Sequence, residues 1–301
     1  MSDFNGDIPG FQILSRLGTG GMSHVWKALD LKNDRLVALK ILNKEYSSDA
    51  AEIQRFKQEE QTLEKIHHPG IVRSYGFGYA SGSWYYAMEY VDGYDFYSLI
   101  RRKQHLPESD CLLICESISS ALHYAWNDYG VVHCDIKPEN ILINKEGVVK
   151  LADLGLCRIF RPEAASLRGS SPEFVIGTPD YISPEQIYGD VELDCRADIY
   201  SLAATLYRLA SGRFLYPNME QEDKLRSHCD ENAQAKDPRI YHPELSDGFV
   251  RLLEAMLVKN REGRVKSWAD VYEMCMDIER GLTFKARRSP DVSSLRIDLS
   301  I

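Results

Sequence analysis

The hydrophobic period of this chain changes along its length, and that change limits the folds open to it. Residues 11 to 43 read as short strands. Phe11-Gln12-Ile13-Leu14 leads into a glycine-rich turn, then His24-Val25-Trp26-Lys27-Ala28 and Leu36-Val37-Ala38-Leu39-Lys40-Ile41-Leu42 follow with β-prone composition. Residues 49 to 66 switch to helical period, with Ile53, Phe56, Leu63 and Ile66 on one stripe, and His68-Pro69-Gly70 reads as the stop. Two further strand-like runs, Ile71 to Tyr79 and Trp84 to Tyr90, flank Ala80-Ser81-Gly82-Ser83. After Val91-Asp92-Gly93 the pattern becomes mostly helical, at residues 108 to 127, 196 to 210, 246 to 258 and 267 to 280. The segment 196 to 210 is apolar on most sides, which predicts a buried helix. The expectation is an α+β chain whose strand-rich first part carries one helix and whose larger second part is helical.

A length of 301 residues gives room for two lobes with a cleft between them. The formal charge of −9 argues against general nucleic-acid affinity, which needs clustered Lys and Arg to displace counterions. Seven cysteines occur as singletons, with no CxxC pair to suggest zinc, and an odd count fits a reducing compartment. No apolar run approaches the ~20 residues that span a bilayer, and the acidic N-terminus lacks the regions of a signal peptide. These features predict a cytoplasmic chain with no membrane segment. Between Cys157 and Ile176 lies an aperiodic loop containing Ser, Arg and Pro, and the tail beyond Gly281 is basic, then Ser-rich, and reads as loosely held.

Chemistry concentrates in His133-Cys134-Asp135-Ile136-Lys137-Pro138-Glu139-Asn140, followed thirteen residues after Asn140 by Asp153-Leu154-Gly155. Phosphoryl transfer needs a group that orients the attacking hydroxyl, oxygen ligands for Mg²⁺ and positive charge by the migrating phosphoryl group. Two carboxylates, an ammonium and a carboxamide at these spacings meet that need. Taken alone, an Asp, a Lys and an Asn within six residues also describe an ordinary polar turn, so the reading depends on other segments. Gly18-Thr19-Gly20-Gly21-Met22-Ser23 lies between two predicted strands, where glycines let backbone N–H groups approach phosphate oxygens. Strand alternation turns Ala38 and Lys40 to one face. Met88-Glu89-Tyr90-Val91 ends a strand at the junction, and Gly177-Thr178-Pro179-Asp180-Tyr181-Ile182-Ser183-Pro184-Glu185 precedes the predicted buried helix.

Together these segments resemble the protein kinase family, in its order and spacing, over residues 11 to about 280, and most closely its bacterial serine/threonine branch. The resemblance implies a bilobal fold: an N-terminal antiparallel sheet lobe with one helix over residues 11–91, a mostly helical C-terminal lobe over 92–281, and a tail over 282–301. It implies an ATP site lined by Leu17, Gly18, Thr19, Gly20, Gly21, Met22, Ser23, Val25 and Ala38. Lys40 would ligate the phosphates, held by Glu59, with Glu60 as the other neighbour. Glu89 C=O and Val91 N–H would bond adenine, Met88 would guard the pocket, and Asp95 would reach the ribose. Asp135 would face the substrate hydroxyl, Lys137 the γ-phosphate, Asn140 and Asp153 would hold Mg²⁺ (or Mn²⁺), and Thr178 would position Asp135 and Lys137. Scaffolding roles fall to a Glu185–Arg264 pair and to Asp198 beneath the catalytic loop.

Two positions depart from the family pattern. Cys134 stands where many kinases have an Arg that pairs with an activation-loop phosphate, which implies control without such a clamp. Leu154 replaces a Phe and keeps bulk and apolarity. The implied activity is transfer from ATP to Ser or Thr of protein substrates, with autophosphorylation at Ser166, Ser170, Ser171 or Thr178 as an added expectation. A nucleotide-binding pseudokinase and a small-molecule phosphotransferase are the competing classes. Retention of Lys40, Glu59, Asp135, Asn140 and Asp153 weighs against the first, and Lys137 with the Gly-Thr-Pro-Asp-Tyr segment against the second.

Overall fold

The computed structural model describes residues 6–154, 158–159, 177–190 and 192–285. Gly155, Cys157, Ser166, Ser170, Ser171 and the tail beyond residue 285 lie outside the described residues. The chain divides into two compact units, Met1–Asp92 and Gly93–Ile301.

In the first unit, β1 (Phe11–Thr19), β2 (Ser23–Asp30), β3 (Arg35–Leu42), β4 (Ser74–Ala80) and β5 (Ser83–Glu89) form one sheet in the order β1-β2-β3-β5-β4. All its pairings are antiparallel, and β3 is central, between β2 and β5. Strand alternation sorts its side chains: Val37, Leu39 and Ile41 join Ile8, Trp26, Ala28 and Ala87 in one apolar cluster, whereas Ala38 and Lys40 fall on the other face. Between β3 and β4 runs α1 (Ala50–Lys65), capped by the Asp49 carboxylate, which accepts from Ala51 N–H and Glu52 N–H. This helix stops earlier than His68-Pro69-Gly70. Ile66 is already extended and buried, and the His-Pro-Gly segment forms a turn of its own, with Ile71 N–H donating to His68 C=O. Ile71 and Val72 fill the core before β4 begins at Ser74, so that strand is shorter than its apolar run suggests.

The second unit starts with β6 (Gly93–Asp95), α2 (Phe96–Lys103), α3 (Glu108–Tyr129) and β7 (Val131–Val132). Then come β8 (Ile141–Asn144), β9 (Val149–Leu151), β10 (Arg158–Ile159), α4 (Pro184–Ile187), α5 (Cys195–Ser211), α6 (Gln221–Cys229), α7 (Asp247–Met256) and α8 (Trp268–Lys285). A small sheet, β6-β8-β9, and the pair β10-β7 bracket the loop that carries the candidate chemistry. Helix α5 is buried at every position except Arg196 and Arg208. It ends at Gly212, whose φ of +69 and the carbonyl of Gln104, 2.3 Å from an added Cβ, both require glycine. Around α5 pack Ile114, Ile118, Leu122, Phe249, Leu252, Met256, Trp268 and Val271 in one core.

Two buried ions brace this unit. Arg264, with no exposed side-chain surface, meets Glu185 through two N–H···O contacts of 2.6 and 3.1 Å. Its remaining N–H groups reach the carbonyls of Val258, Arg196 and Lys259, so all five donors are satisfied. Asp198 is buried and accepts from His133 N–H (2.6 Å) and Cys134 N–H (2.8 Å).

Buried titratable groups make stability depend on pH. Burial on α6 pushes the His228 imidazole down to about 3, below its ordinary value of 6.5, and Tyr200 O–H lies 2.8 Å from its Nδ1. The folded chain therefore binds fewer protons than the unfolded one between those values. Stability from this residue is complete above about pH 6.5 and is lost as pH falls toward 3. Asp198, pushed up to about 6 by burial, works with the opposite sign: its contribution is complete below 3.8 and lost as pH rises through 6. Replacing His228 with Gln should flatten the acid limb, lowering the slope of unfolding free energy between pH 6 and 4 by up to about 1.4 kcal/mol per pH unit. Urea titrations across that range measure it.

Candidate active site

In the first unit the sheet places an ammonium beside a helix carboxylate. Lys40 on β3 and Glu59 on α1 meet at 2.6 Å, both largely shielded from solvent. Glu60, the adjacent carboxylate, accepts from Ser74 O–H on β4 at 2.7 Å. One helical step separates the two glutamates, so they face different strands. Tyr86 on β5, opposite Lys40 in the β3–β5 register, donates its hydroxyl to the same Glu59 oxygen at 2.5 Å. Sequence reading did not single out Tyr86 or Ser74. The signal for Tyr86 lies only in cross-strand register, which a single sequence does not print.

Between β1 and β2 the glycine-rich turn closes with Gly20 N–H donating to Ser23 C=O at 2.8 Å. Neither Gly18 nor Gly21 has a positive φ, and an added Cβ at either would meet nothing within 4 Å. Neither backbone conformation nor local packing asks for glycine there. The open space there leaves room for a ligand to approach the backbone. Leu17 and Met22 are exposed, Val25 is half-buried, and Ser23 is buried on β2. Met88 on β5 pairs with Ala38 on β3, and Glu89 N–H donates to Arg73 C=O. Thr19 ends β1 opposite His24, while Val91 is half-buried beyond β5.

In the second unit Asp95 caps α2: its carboxylate accepts from Ser98 N–H and Ser98 O–H, each at 2.7 Å. Sequence reading had not seen this helix or its cap. The remaining lone pairs of Asp95 leave acceptor capacity for a sugar hydroxyl.

Three predicted residues gather around Asp135: Lys137 and Asn140 from the loop between β7 and β8, and Thr178 from the segment before α4. Thr178 O–H donates to Asp135 Oδ1 at 2.7 Å, and Lys137 Nζ donates to Asp135 Oδ2 (2.7 Å) and Thr178 Oγ1 (3.0 Å). Asn140 Nδ2 donates to the Asp135 carbonyl (2.8 Å) and to its Oδ2 (3.2 Å). Since a carbonyl only accepts, the Asn140 amide is oriented with its nitrogen toward Asp135, which leaves its oxygen as the acceptor end. His133, fully buried, accepts from Asp135 N–H at Nδ1 and contacts Ala152 C=O through Nε2, which fixes the neutral tautomer protonated on Nε2. The Ala152 carbonyl immediately precedes Asp153, so His133 ties the loop to the second carboxylate segment. Asp153 is half-buried at φ +65, and Cys134 sits at φ +68. Both are non-glycine residues held in the left-handed region.

Asn140 and Asp153 offer hard oxygen donors, and no group of three or more His, Cys, Asp or Glu side chains among the described residues forms a closed metal cage. That donor set suits a cation whose other ligands are phosphates and water, as Mg²⁺ prefers.

Cys134 is buried with Val132, Leu193 and Ala197, its thiol turned to the Val132 carbonyl. Its own carbonyl accepts from Gln186 Nε2 at 2.8 Å. Gln186 is held in turn by Ser183 O–H, which donates to Gln186 Oε1. Leu154 is buried.

Comparison with known proteins gives a match to the protein kinase domain model over residues 11–275. The chain is 37% identical over 261 residues to the serine/threonine-protein kinase PrkC of Bacillus subtilis, covering 87% of this chain and 39% of that protein. It is 34% identical over 262 residues to PknA of Mycobacterium tuberculosis, covering 85% and 58%. To the serine/threonine-protein kinase pkn3 of Myxococcus xanthus it is 32% identical over 262 residues, covering 85% and 48%. The chain thus spans about two-fifths to three-fifths of the length of these relatives.

Among the described residues, the hydroxyl of Thr178 is the only group that both donates to the Asp135 carboxylate and accepts from Lys137. Thr178→Ala should lower kcat for phosphoryl transfer by about 10²-fold through loss of orientation. Thr178→Ser, which keeps the hydroxyl, should retain most of the rate. Steady-state kinetics on the two variants check this.

Proposed function

The chain belongs to the protein kinase domain family, and from that membership, which implies ATP, a divalent cation and a protein substrate, we propose that it phosphorylates serine and threonine hydroxyls. The observation that carries the proposal is the Asp135–Lys137–Thr178 cluster. Its carboxylate is oriented from three sides and stays near a half-buried ammonium, the arrangement needed to align a hydroxyl with a phosphoryl group.

In this reading residues 11–91 bind ATP and residues 92–281 carry the catalytic loop. Lys40, tethered by Glu59, contacts the phosphates, and the turn at Gly18 to Ser23 covers them. Leu17, Val25, Ala38 and Met88 line the adenine pocket, with Glu89 C=O and Val91 N–H as its hydrogen-bonding edge. Asp135 orients the substrate hydroxyl and takes its proton as the new O–P bond forms and the bond to the leaving ADP breaks. Lys137 stabilises negative charge on the transferring group. Asn140 and Asp153 would hold the divalent cation, Mg²⁺ by preference and Mn²⁺ as a substitute, which supplies charge neutralisation on the phosphates. The singleton cysteines support a cytoplasmic setting for these residues. No helix among the described residues is long and apolar enough to cross a membrane.

Incubation with Mg·ATP and a generic basic protein should place phosphate on Ser or Thr, and Asp135→Asn and Lys40→Met should each abolish it. Nucleotide binding without transfer would establish the pseudokinase reading instead, and transfer only to small alcohols the small-molecule one.

A second expectation concerns control. The link from Gln186 to the Cys134 backbone joins the segment after Thr178 to the catalytic loop through a neutral amide, and it supports activity without a phosphate docked beside Asp135. If no phosphate clamp is needed, Ser166→Ala, Ser170→Ala and Ser171→Ala should each keep kcat/KM within about 3-fold of the parent. A loss beyond 10-fold at any one would overturn this.

A further inference from the structure

We propose that Tyr86 is a positioning residue for nucleotide phosphates, acting through Glu59 on Lys40. The inference rests on the kinase reading and adds a member to its phosphate-binding pair. Tyr86 is 1% exposed, and its hydroxyl donates to Glu59 Oε1 at 2.5 Å, the oxygen that Lys40 Nζ meets at 2.6 Å. One carboxylate oxygen therefore serves two donors from two neighbouring strands. The ring of Tyr86 also packs on Phe56 (centroids 5.1 Å apart), which lies three residues before Glu59 on α1 and so on the same helical face. Strand β5 thus grips α1 at two points, one apolar and one polar.

The chemistry explains why the second donor matters. A buried carboxylate paired with a single ammonium depends on that ammonium to offset its desolvation. When Lys40 turns part of its charge toward phosphate oxygens, its hold on Glu59 weakens. A tyrosine hydroxyl makes a charge-assisted bond that does not change with nucleotide, so Glu59 stays where Lys40 needs it. By drawing negative charge from Oε1, the same bond leaves more of the ammonium's field for the phosphates. A residue serving packing alone would need the ring, not the hydroxyl.

Tyr86→Phe isolates the hydroxyl, because the ring and its contact with Phe56 remain. Calorimetric titration of the full chain with the Mg²⁺ complex of a non-hydrolysable ATP analogue should show about 5–10-fold weaker binding, the net worth of a typical intramolecular hydrogen bond, since the hydroxyl acts on the phosphates only through Glu59 and Lys40. Binding of adenosine, which has no phosphates, should be unchanged. In a Glu59→Gln background Tyr86→Phe should add less than about 2-fold, since coupled groups are not additive. In activity assays KM for ATP should rise while KM for the protein substrate stays constant. Unchanged analogue binding, an equal loss for adenosine, or an undiminished loss in the Glu59→Gln background would each overturn the proposal. The titrations require no transfer, so they fail or succeed separately from the kinase reading, which the Asp135→Asn control decides.

Discussion

The catalytic loop has no ladder of its own, and its position depends on one buried carboxylate. Residues between β7 and β8 belong to no regular strand, so the N–H groups of His133 and Cys134 would be stranded in the core. Asp198 satisfies both, one with each oxygen. Seven residues later, two turns along the same face of α5, Thr205 O–H donates to the Ile136 carbonyl at 3.2 Å. Asp135 therefore sits between two anchors on a helix that is itself packed on nearly every side. Burial of the Asp198 carboxylate is costly and pushes its pKa up, and what the fold gains from it is placement of Asp135.

Much of this architecture was legible in the sequence wherever a long apolar period carried it. The alternation in β3, the buried helix at 195–211 and the long α3 all follow from spacing. Short or polar elements were not legible. Helix α6 buries only His228, so it shows no stripe, and α2 has eight residues that end in Arg101-Arg102-Lys103. The small β6-β8-β9 sheet is built from strands of three or four residues. In the site, the residue types and spacing of Asp135, Lys137 and Asn140 were readable because they lie within one loop. Partners from other elements, Tyr86, Ser74, Gln186 and Thr205, were not, because register and helix docking bring them near and neither leaves a local mark.

Cys134 gains a physical account from its surroundings. Its side chain fills an apolar cluster, where a long guanidinium would be desolvated without a partner. The backbone at this position is left-handed, held by Asp198 at the N–H and by Gln186 at the carbonyl. Both peptide groups of the residue are thus fixed by neighbours, whatever its side chain does.

The cations of the second unit separate by saturation. Arg264 spends all five N–H groups on protein acceptors and has no exposed surface, so it has nothing to offer a ligand. Lys137 spends two of three, on Asp135 and Thr178, and its side chain remains 21% exposed. An ammonium with one N–H directed to no acceptor among the described residues, and with a path to solvent, can take a phosphate oxygen without breaking what holds it. Asp135 follows the same logic: Thr178, Lys137 and Asn140 occupy three of its roughly four lone-pair directions, and the fourth is enough for one hydroxyl. On that count Arg264 belongs to the scaffold, while Lys137 keeps a donor for the role proposed for it.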